Sequence, residues 1–306
     1  YLNCAQNQLT SLDVSANTVL TQLWCFDNQL TSLDVSANTA LIDLSCRDNQ
    51  LTNLDVSSNT ALTTLDCSSN DITSLNVSSN TALDFLDCNT NQLIYLNMKN
   101  GATDQLAQFD ATNNDLTCIE TLDPAWATEN WTYANGNIDE GVEFSVVCVP
   151  EGYTYVPDNN FEQALVDLGH DDALDNFVLI ENIADLDSLD VSEKEINDLT
   201  GIEAFTTLTY LDCSSNSLIS LDLSANTGLE FLECYENQLT ILDVSANTAL
   251  TILALEDNQL TVLDVSNNTA LTGLNCGYNQ LTSLDVSSNT ALSTLRCNEN
   301  SFTSLD

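Results

Sequence analysis

Basic residues are almost absent from this chain. Its 306 residues include four Lys and Arg against 46 Asp and Glu, which gives a formal net charge of −42. Nucleic-acid binding requires clustered Lys and Arg to neutralise phosphates, and docking on anionic lipid requires them too. The composition therefore argues against both partners. The acidic surface suits a cation-rich medium or a partner that brings calcium, and solubility alone explains it equally well.

The residues and motifs of catalysis are also scarce. His170 is the single histidine and lies among acidic residues. The sequence contains no Gly-rich phosphate loop, no GxSxG motif and no Cys/His pair, and carboxylates are too abundant to single out a catalytic pair. No run of 18 apolar residues predicts a membrane-spanning helix. The sequence predicts a protein that is not an enzyme, has no catalytic residues, requires no cofactor and does not insert into a membrane.

What the chain does have is one repeated phrase. LTSLDVSANTA at residues 30–40 recurs nearly unchanged, whereas the ten residues between copies vary, as in LTQLWCFDNQ and LEFLECYENQ. The period is 21 residues, and it predicts a stack of coils in which each coil buries its apolar face against its neighbours. The positions that share this spacing most clearly are Cys4, Cys25, Cys46, Cys67 and Cys88, then Cys213, Cys234, Leu255, Cys276 and Cys297.

Each repeat consists of two half-repeats, LxxLxVxxNxx and LxxLxCxxNx. Alternate side chains of a strand face opposite ways, so the Leu, Val and Cys residues should point inward. We expect each half-repeat to form one parallel sheet on stacking, which makes the fold mainly β. The Asn that follows each LxC strand should turn inward and satisfy backbone groups at the turn. In the first half of the chain these residues are Asn7, Asn28, Asn49, Asn70 and Asn91.

Residues 2–98 and 189–306 resemble the 21-residue bacterial leucine-rich repeats of the internalin-J type, also described as the IRREKO class. The resemblance rests on the phrase LxxLxCxxNxLxxLDVSxN and on the cysteine row. It implies a leucine-rich repeat solenoid and an extracellular or cell-surface bacterial protein that binds ligands and catalyses no reaction. The segments that interrupt the repeats look most like those of Bacteroidetes proteins.

Breaks in the period predict two tandem solenoids joined by caps. The segment that follows Met98 contains Trp126 and Trp131 and resembles a C-terminal cap. The stretch VPEGYTYVP carries two of the three prolines, which indicates a short, stiff linker. The next stretch, DNNFEQALVDLG, predicts a helix that ends at Gly169. Both termini lie inside a repeat, so we expect a longer protein. The predicted boundaries are 1–98 for the first solenoid, 99–148 for its C-terminal cap, 149–157 for a linker, 158–190 for the helical N-terminal cap of the second solenoid and 191–306 for the second solenoid.

The cysteine row predicts small buried hydrophobes and no metal centre. Metal sites need three or four converging ligands, whereas these side chains stand in parallel, and Leu255 occupies one position of the row. Strands lie about 4.8 Å apart, farther than the Cβ separation of about 3.8 Å in a disulfide. Cys118 and Cys148 lie outside the row. In an extracellular protein they are expected to form a disulfide, the alternative being two free buried thiols.

A row of aspartates should line the outer side of the LDV half-repeats. Neighbouring carboxylates about 5 Å apart repel by roughly 0.8 kcal/mol even in water. Nearby serines such as Ser15, Ser36 and Ser245, together with solvent ions, could relieve the repulsion. Calcium held between successive aspartates is the second hypothesis, although Asn76 and Asn97 interrupt the row. The residues of this calcium hypothesis are Asp222, Asp243, Asp264 and Asp285.

The outward residues of the LxC strands vary between repeats and include aromatics beside charges, which is typical of recognition surfaces. An exposed Trp24–Phe26 pair is costly on a face without a partner. The predicted ligand-binding residues are Trp24, Phe26, Asp27, Asp43, Arg47, Asp48, Phe85, Tyr210, Phe231, Glu233, Tyr235, Glu236 and Tyr278. Drift under relaxed constraint would produce the same variation.

Two functions follow from this pattern. The first is a binding or adhesion protein whose ligand is a protein, a peptide or a glycan. The second is a structural stalk or filament whose subunits self-associate along the uniform Ser/Asp face or end to end, with calcium as an added stabiliser.

Overall fold

The chain divides into two compact units, Tyr1–Cys148 and Val149–Asp306, and the computed structural model describes residues 1–305. Each unit has its own apolar core. The core consists mainly of the Leu, Val and Cys residues that the repeat pattern points inward, and Cys25, Cys46 and Cys67 are fully buried. The predicted mainly β, leucine-rich repeat solenoid with a cysteine row is confirmed.

Unit 1 contains two parallel sheets and one helix. The LxC half-repeats form six strands in the order β1-β2-β3-β4-β6-β8, and the second sheet has the order β10-β9-β7-β5. The elements are β1 (Leu2–Asn3), β2 (Gln22–Trp24), β3 (Asp43–Ser45), β4 (Thr64–Asp66), β5 (Ser74–Asn76), β6 (Phe85–Asp87), β7 (Tyr95–Asn97), β8 (Gln108–Asp110), β9 (Cys118–Glu120), α1 (Pro124–Asn130) and β10 (Glu143–Ser145).

The register of the LxC sheet follows the period of the sequence. Leu23 pairs with Leu44, and Leu44 pairs with Leu65, so equivalent residues of successive coils stand opposite each other. Each strand has a buried Leu between two partly exposed residues. The side chains that flank the Leu therefore form outward rows that run across the strands.

The LDV half-repeats form a sheet in only part of the stack. In unit 1 the copies at β5 and β7 pair with each other, and β9 and β10 continue their sheet, whereas the copies at residues 11–15, 32–36 and 53–57 have no strand. In those copies the Asp side chain accepts a hydrogen bond from the amide of the Ser two residues on, as between Asp34 and Ser36 at 2.9 Å. The same bond also closes the turn after the paired strands β4 and β5, from the amide of Ser68 to Asp66 and from the amide of Ser78 to Asn76, so it does not by itself account for the missing strands.

The segment 99–148 does more than the predicted cap, because three of its strands extend the two sheets. The register step lengthens from 21 residues between Thr64 and Phe85 to 23 between Phe85 and Gln108, and to 25 between Cys118 and Glu143. These insertions hide the coils from a search for a 21-residue period. The apolar end of the stack is covered by α1, whose N-cap is Asp123, and by the buried Trp131.

Unit 2 begins with an α/β cap and continues as a parallel sheet of six strands in the order β13-β14-β15-β16-β17-β19. Its elements are β11 (Tyr153–Tyr155), α2 (Asn159–Leu168), β12 (Phe177–Leu179), α3 (Ile180–Ile183), β13 (Ser188–Asp190), a 3-10 turn (Ile202–Ala204), β14 (Tyr210–Asp212), β15 (Phe231–Glu233), β16 (Ile252–Ala254), β17 (Gly273–Asn275), β18 (Ser283–Leu284), β19 (Thr294–Arg296) and β20 (Ser304–Leu305). The strands β18 and β20, from LDV half-repeats, pair with each other.

Two predicted boundaries of unit 2 are wrong. The segment 149–157 is not a simple linker, because β11 pairs antiparallel with β12 inside the cap and buries Thr154 and Val156 on one side, as alternation in a strand dictates. The parallel sheet starts at Ser188, before the predicted residue 191, because β13 pairs in register with β14.

The predicted cap helix is present as α2. The Asp158 side chain accepts hydrogen bonds from the amides of Asn160 and Phe161 at its start, and Gly169 ends it with a φ of +80°. A positive φ of this kind is readily adopted by glycine. The second oxygen of Asp158 accepts from the amides of Asn197 and Asp198, which ties the cap to the first coil.

Candidate binding surface on the LxC strands

We call the outward side chains of the LxC strands and of the turn that follows each strand the LxC face. In unit 1 they belong to β1–β4, β6 and β8, and in unit 2 to β13–β17 and β19. The corresponding outward side of the LDV half-repeats is called the LDV face. Because the strands are in register, each outward position forms a row across successive coils.

The inward asparagines hold each turn of the LxC face in place. The amide nitrogen of Asn49 donates to the carbonyls of Cys25 and Cys46 at 3.1 and 3.0 Å, and its oxygen accepts from the amide of Leu30 at 2.9 Å. One side chain therefore satisfies backbone groups of two coils. The predicted asparagine row is confirmed by the same bonds at Asn28, Asn70 and Asn91.

The residue before each of these asparagines has a left-handed backbone. Asp27, Asp48, Glu236 and Tyr278, four of the predicted binding residues, have φ values of 59°, 52°, 52° and 52°. Non-glycine residues rarely adopt this region, although Asp and Asn do so more often than others. The turn aims these side chains outward at the edge of the face. The sequence signal was the recurrent DN or EN pair, which we did not use to predict the turn.

The predicted residues of β2 and β3 in unit 1 form one cluster. The Tyr1 and Trp24 rings meet edge to face with centroids 5.2 Å apart, and the Arg47 guanidinium lies 4.9 Å from the centre of the Phe26 ring. Both Trp24 and Phe26 are half-buried. The pair is thus less exposed than expected, because Tyr1 and Arg47 from adjacent positions lie against the rings.

Charges surround this cluster. The Nε atom of Arg47 lies 3.6 Å from an oxygen of Asp66 and 4.0 Å from one of Asp48. Asp43, the first residue of β3, accepts a 3.4 Å hydrogen bond from the Gln22 amide. Exposed ion pairs such as those of Arg47 contribute little to the free energy of unfolding. Their main effect is to orient the Arg47 guanidinium over the Phe26 ring.

Phe85 lies apart from the cluster, in a row with Thr64 and Gln108. Beside it, Asp66, Asp87 and Asp110 stand opposite each other on β4, β6 and β8. Burial above all, and then the neighbouring carboxylates of Asp66 and Asp110, raise the pKa of Asp87 to about 6 against the lowering effect of the Asn89 amide. The predicted set omitted all three aspartates, and Asp110 was hidden because its coil breaks the period.

In unit 2 the predicted aromatic and acidic residues lie on neighbouring coils. The Tyr210 and Phe231 rings are 6.5 Å apart, and Tyr278 is 53% exposed in the turn after β17. Burial raises the pKa of Glu233, and Asp212 and Glu256 raise it further. Burial likewise raises the pKa of Tyr210 to about 12, with Glu233 as the next cause.

Two further predicted residues of unit 2 flank these groups. Tyr235 is half-buried beside Glu233, and an oxygen of Glu236 accepts a 2.8 Å hydrogen bond from the Ser215 hydroxyl. A shallow groove of about 370 Å³ lies on the same face. Its lining includes Glu233 and Tyr235 from the predicted set and Arg296 from β19, which the prediction left out.

The LDV face has a different electrostatic character. The hydroxyl and then the amide of Ser245 lower the pKa of Asp243. The pKa values of Asp264 and Asp285 are lowered in the same way by the serine two residues after each. The amide and then the hydroxyl of Ser224 lower the pKa of Asp222. Hydrogen bonds within each coil thus stabilise the charged aspartates. In the described part of the chain, residues 1–305, no group of three or more Asp, Glu, Cys or His residues is arranged to hold a metal ion.

The two cysteines outside the row are joined. Cys118 and Cys148 form a disulfide with a Cα–Cα distance of 5.8 Å, which links β9 to the end of unit 1. The cysteines of the row carry free thiols, and burial raises the pKa of Cys25 to about 12. Such thiols are neutral and inert at ordinary pH. Within residues 1–305, no helix has the length and apolar character needed to cross a membrane.

Sequence comparison relates the repeats to known proteins. Residues 234–254 and 253–274 match the family model of the LVIVD repeat. Over 73 residues the chain is 41% identical to internalin J of Listeria monocytogenes serotype 4b (strain F2365), a match that covers 24% of this chain and 8% of internalin J. The chain thus matches a small part of that protein's length.

Among solved structures, two internalins are similar to this chain. The functional domain of InlJ from Listeria monocytogenes, described as including a cysteine ladder, is 27% identical; the match covers 100% of this chain and 64% of that domain, with a TM-score of 0.36. The internalin InlF of the same species is 19% identical, with 96% and 79% covered and a TM-score of 0.36. The match to internalin J and the match to the LVIVD repeat model each cover less than half of the chain.

Proposed function

We propose that this internalin-like leucine-rich repeat protein is a non-catalytic binding or adhesion protein whose LxC face recognises a protein or glycan partner. The observation that carries the proposal is the difference between its two faces. The same coils present the repeated Asp and Ser side chains on one face and varied aromatic and charged side chains on the other.

The geometry of the LxC face supports this role. The half-buried ring of Phe26 lies under the Arg47 guanidinium, and the half-buried ring of Tyr210 lies near the carboxylates of Glu233 and Asp212. Rings of this kind supply contact area at low entropic cost, and charges add specificity. The registered strands fix the rows rigidly, so little ordering remains to oppose binding.

A location outside the cytoplasm is part of the proposal. The Cys118–Cys148 disulfide supports it, because such bonds persist in oxidising compartments and are rare in the cytosol. The likeness to internalin J points the same way. A secreted or surface-displayed protein with a strongly acidic surface suits adhesion in a cation-rich medium.

The proposal is tested by a combined protein and glycan array followed by variants of the two faces. The LxC variant is Phe231→Ala with Tyr278→Ala, whose side chains are 39% and 53% exposed. The matched control is Ile241→Ala with Val262→Ala on the LDV face, 73% and 70% exposed. Any ligand found should lose at least tenfold in affinity with the first variant and none with the second. The opposite result would reject the proposal.

Self-association is the second candidate, and one observation favours it. Ile241 and Val262 are apolar side chains exposed on adjacent coils of the LDV face of unit 2, an arrangement that commonly marks a contact surface. A filament or stalk built through this face would show concentration-dependent light scattering. Ile241→Ser with Val262→Ser should abolish it, whereas a monodisperse monomer would exclude the filament.

A further inference from the structure

The groove on the LxC face of unit 2 has a floor of small residues. Ala254 and Gly273 occupy outward positions on adjacent strands where other coils have larger side chains. A Cβ added at Gly273 would lie 2.8 Å from the Cδ1 atom of Ile252. The Ile252 side chain therefore extends over Gly273 and forms one side of the groove. The small residues between the sides leave room for the backbone of a ligand to approach.

The two ends of the groove carry opposite charges. One outward row runs Glu233, Ala254, Asn275 and Arg296 across four paired strands. Glu256, in the turn after β16, lies beside the acidic end. Acidic side chains therefore stand at one end, a guanidinium stands at the other, and two uncharged residues separate them.

Both ends lack partners within the described residues. One oxygen of Glu256 is buried and makes no hydrogen bond. The ion pairs found in residues 1–305 involve Arg47 and Lys99, and none involves Arg296. A buried carboxylate oxygen without a donor is unfavourable, because it has lost its hydration without gaining a hydrogen bond. A ligand that supplies a cation to Glu256 and a carboxylate to Arg296 would recover that cost.

We infer that this groove binds an extended peptide segment that carries a Lys or Arg side chain over Glu233 and Glu256 and an Asp or Glu side chain on Arg296. This inference rests on the proposed function and specifies the partner for one part of the LxC face. The peptide runs across the strands, and its backbone passes over Ala254 and Gly273.

The spacing of the charges sets the spacing in the peptide. Glu256 and Glu233 are on coils two and three strand steps from Arg296, or about 10 and 14 Å at about 4.8 Å a step. An extended chain rises about 3.4 Å per residue. Because alternate side chains of an extended chain face opposite ways, a basic and an acidic residue that both reach the groove are four positions apart.

A neutral glycan fits the groove less well. Its hydroxyl groups carry no charge, so the guanidinium of Arg296 and the carboxylates would be covered without charge compensation, which is unfavourable on desolvation. Tyr235 is the one aromatic residue in the lining, so stacking on sugar rings would be limited.

The test is selection from a displayed library of random 12-residue peptides against the purified 306-residue chain. Enriched sequences should contain a basic and an acidic residue four positions apart. An enriched peptide should bind at least tenfold more weakly to Arg296→Ala and to Glu256→Gln, and Arg296→Lys should retain part of the affinity. Asp243→Asn on the LDV face is the matched control and should bind normally.

The outcomes separate this site from the proposed function. Peptides without the spaced charge pair, or binding that survives both Arg296→Ala and Glu256→Gln, would overturn the peptide site. A glycan whose binding is lost with Arg296→Ala would also overturn it while leaving the LxC face in use. A ligand lost with Phe231→Ala and Tyr278→Ala but kept by Arg296→Ala would retain the function and reject this groove. Circular dichroism confirms that each variant is folded.

Discussion

The two halves of each repeat use the same type of residue, an inward asparagine, to different ends. On the LxC side, Asn70 donates to the carbonyls of Cys46 and Cys67, and its oxygen accepts from the amide of Leu51. On the LDV side, Asn59 donates to the coil before it, and its buried oxygen has no partner in the described structure. The LxC turn is therefore held by both ends of the amide, and the LDV turn by one.

This difference explains how one half can vary and the other cannot. The LxC strands pair through their backbones, so their outward side chains are free to change without loss of the sheet. Most LDV copies have no such pairing and depend on side chains, as in the bond from the Ser57 amide to Asp55. Constancy of sequence on the LDV face is the consequence of a structure that those side chains maintain.

The largest expected effect compares the two asparagine rows. Asn70→Ala removes hydrogen bonds at both ends of the amide and should lower the free energy of unfolding by about 3 kcal/mol, whereas Asn59→Ala should cost about 2 kcal/mol. Urea unfolding of the two variants measures the difference. Equal losses would show that the unpaired oxygen of Asn59 is satisfied in solution and that the two rows are equivalent.

The boundaries of the regular coils were predictable because equivalent residues recur every 21 positions in the sequence. Rows such as Cys25 and Cys46 follow from spacing alone. The strands β8–β10 were missed because their register steps exceed 21 residues. The repeat pattern also carries no signal for why the LDV half-repeats pair at β5 and β7 and at β18 and β20 but not in the other copies. Contacts across coils, such as Arg47 over Phe26, depend on side-chain direction, which a repeat pattern does not specify.

The second prediction contrasts two aspartates at different pH. The pKa of Asp87 is raised to about 6, so the folded state binds its proton more tightly than the unfolded state, and stability falls as pH rises from about 4 to about 6. Asp87→Asn should therefore stabilise the protein by about 1 kcal/mol at pH 7 after allowance for solvent screening. The measurement is urea unfolding of the variant and the parent from pH 4 to pH 8.

The pKa of Asp55 is shifted in the opposite direction to that of Asp87. Hydrogen bonds from the hydroxyl and then the amide of Ser57 lower its pKa, so its contribution is present above the unfolded pKa of about 4 and is lost as pH falls through the lower folded value. Asp55→Asn should not stabilise the protein at pH 7. A gain equal to that of Asp87→Asn would mean that general charge reduction, and not the position on the LxC face, governs both.

The third prediction concerns the left-handed turns, which occur in the LxC half and not in the LDV half of the described repeats. Thr90 has a φ of 54°, a conformation that is strained for a β-branched residue. Thr90→Gly should raise the free energy of unfolding by about 0.5–1 kcal/mol. Thr90→Ala keeps a Cβ and should bring little gain. If Gly and Ala act alike, the turn is not strained.

The smallest expected effect is that of calcium on the LDV face. Asp243 and Asp264 are exposed, and the hydroxyl and amide of their own serines already lower their pKa. An added cation would compete with those bonds in a high-dielectric setting, where water weakens its attraction to each carboxylate. Millimolar calcium should therefore shift the melting temperature by no more than magnesium does. A rise of several degrees that is specific to calcium and lost in Asp243→Asn with Asp264→Asn would instead establish an ion between successive coils. The LDV face would then be a binding face as well, and its constancy would reflect a ligand in addition to the turns.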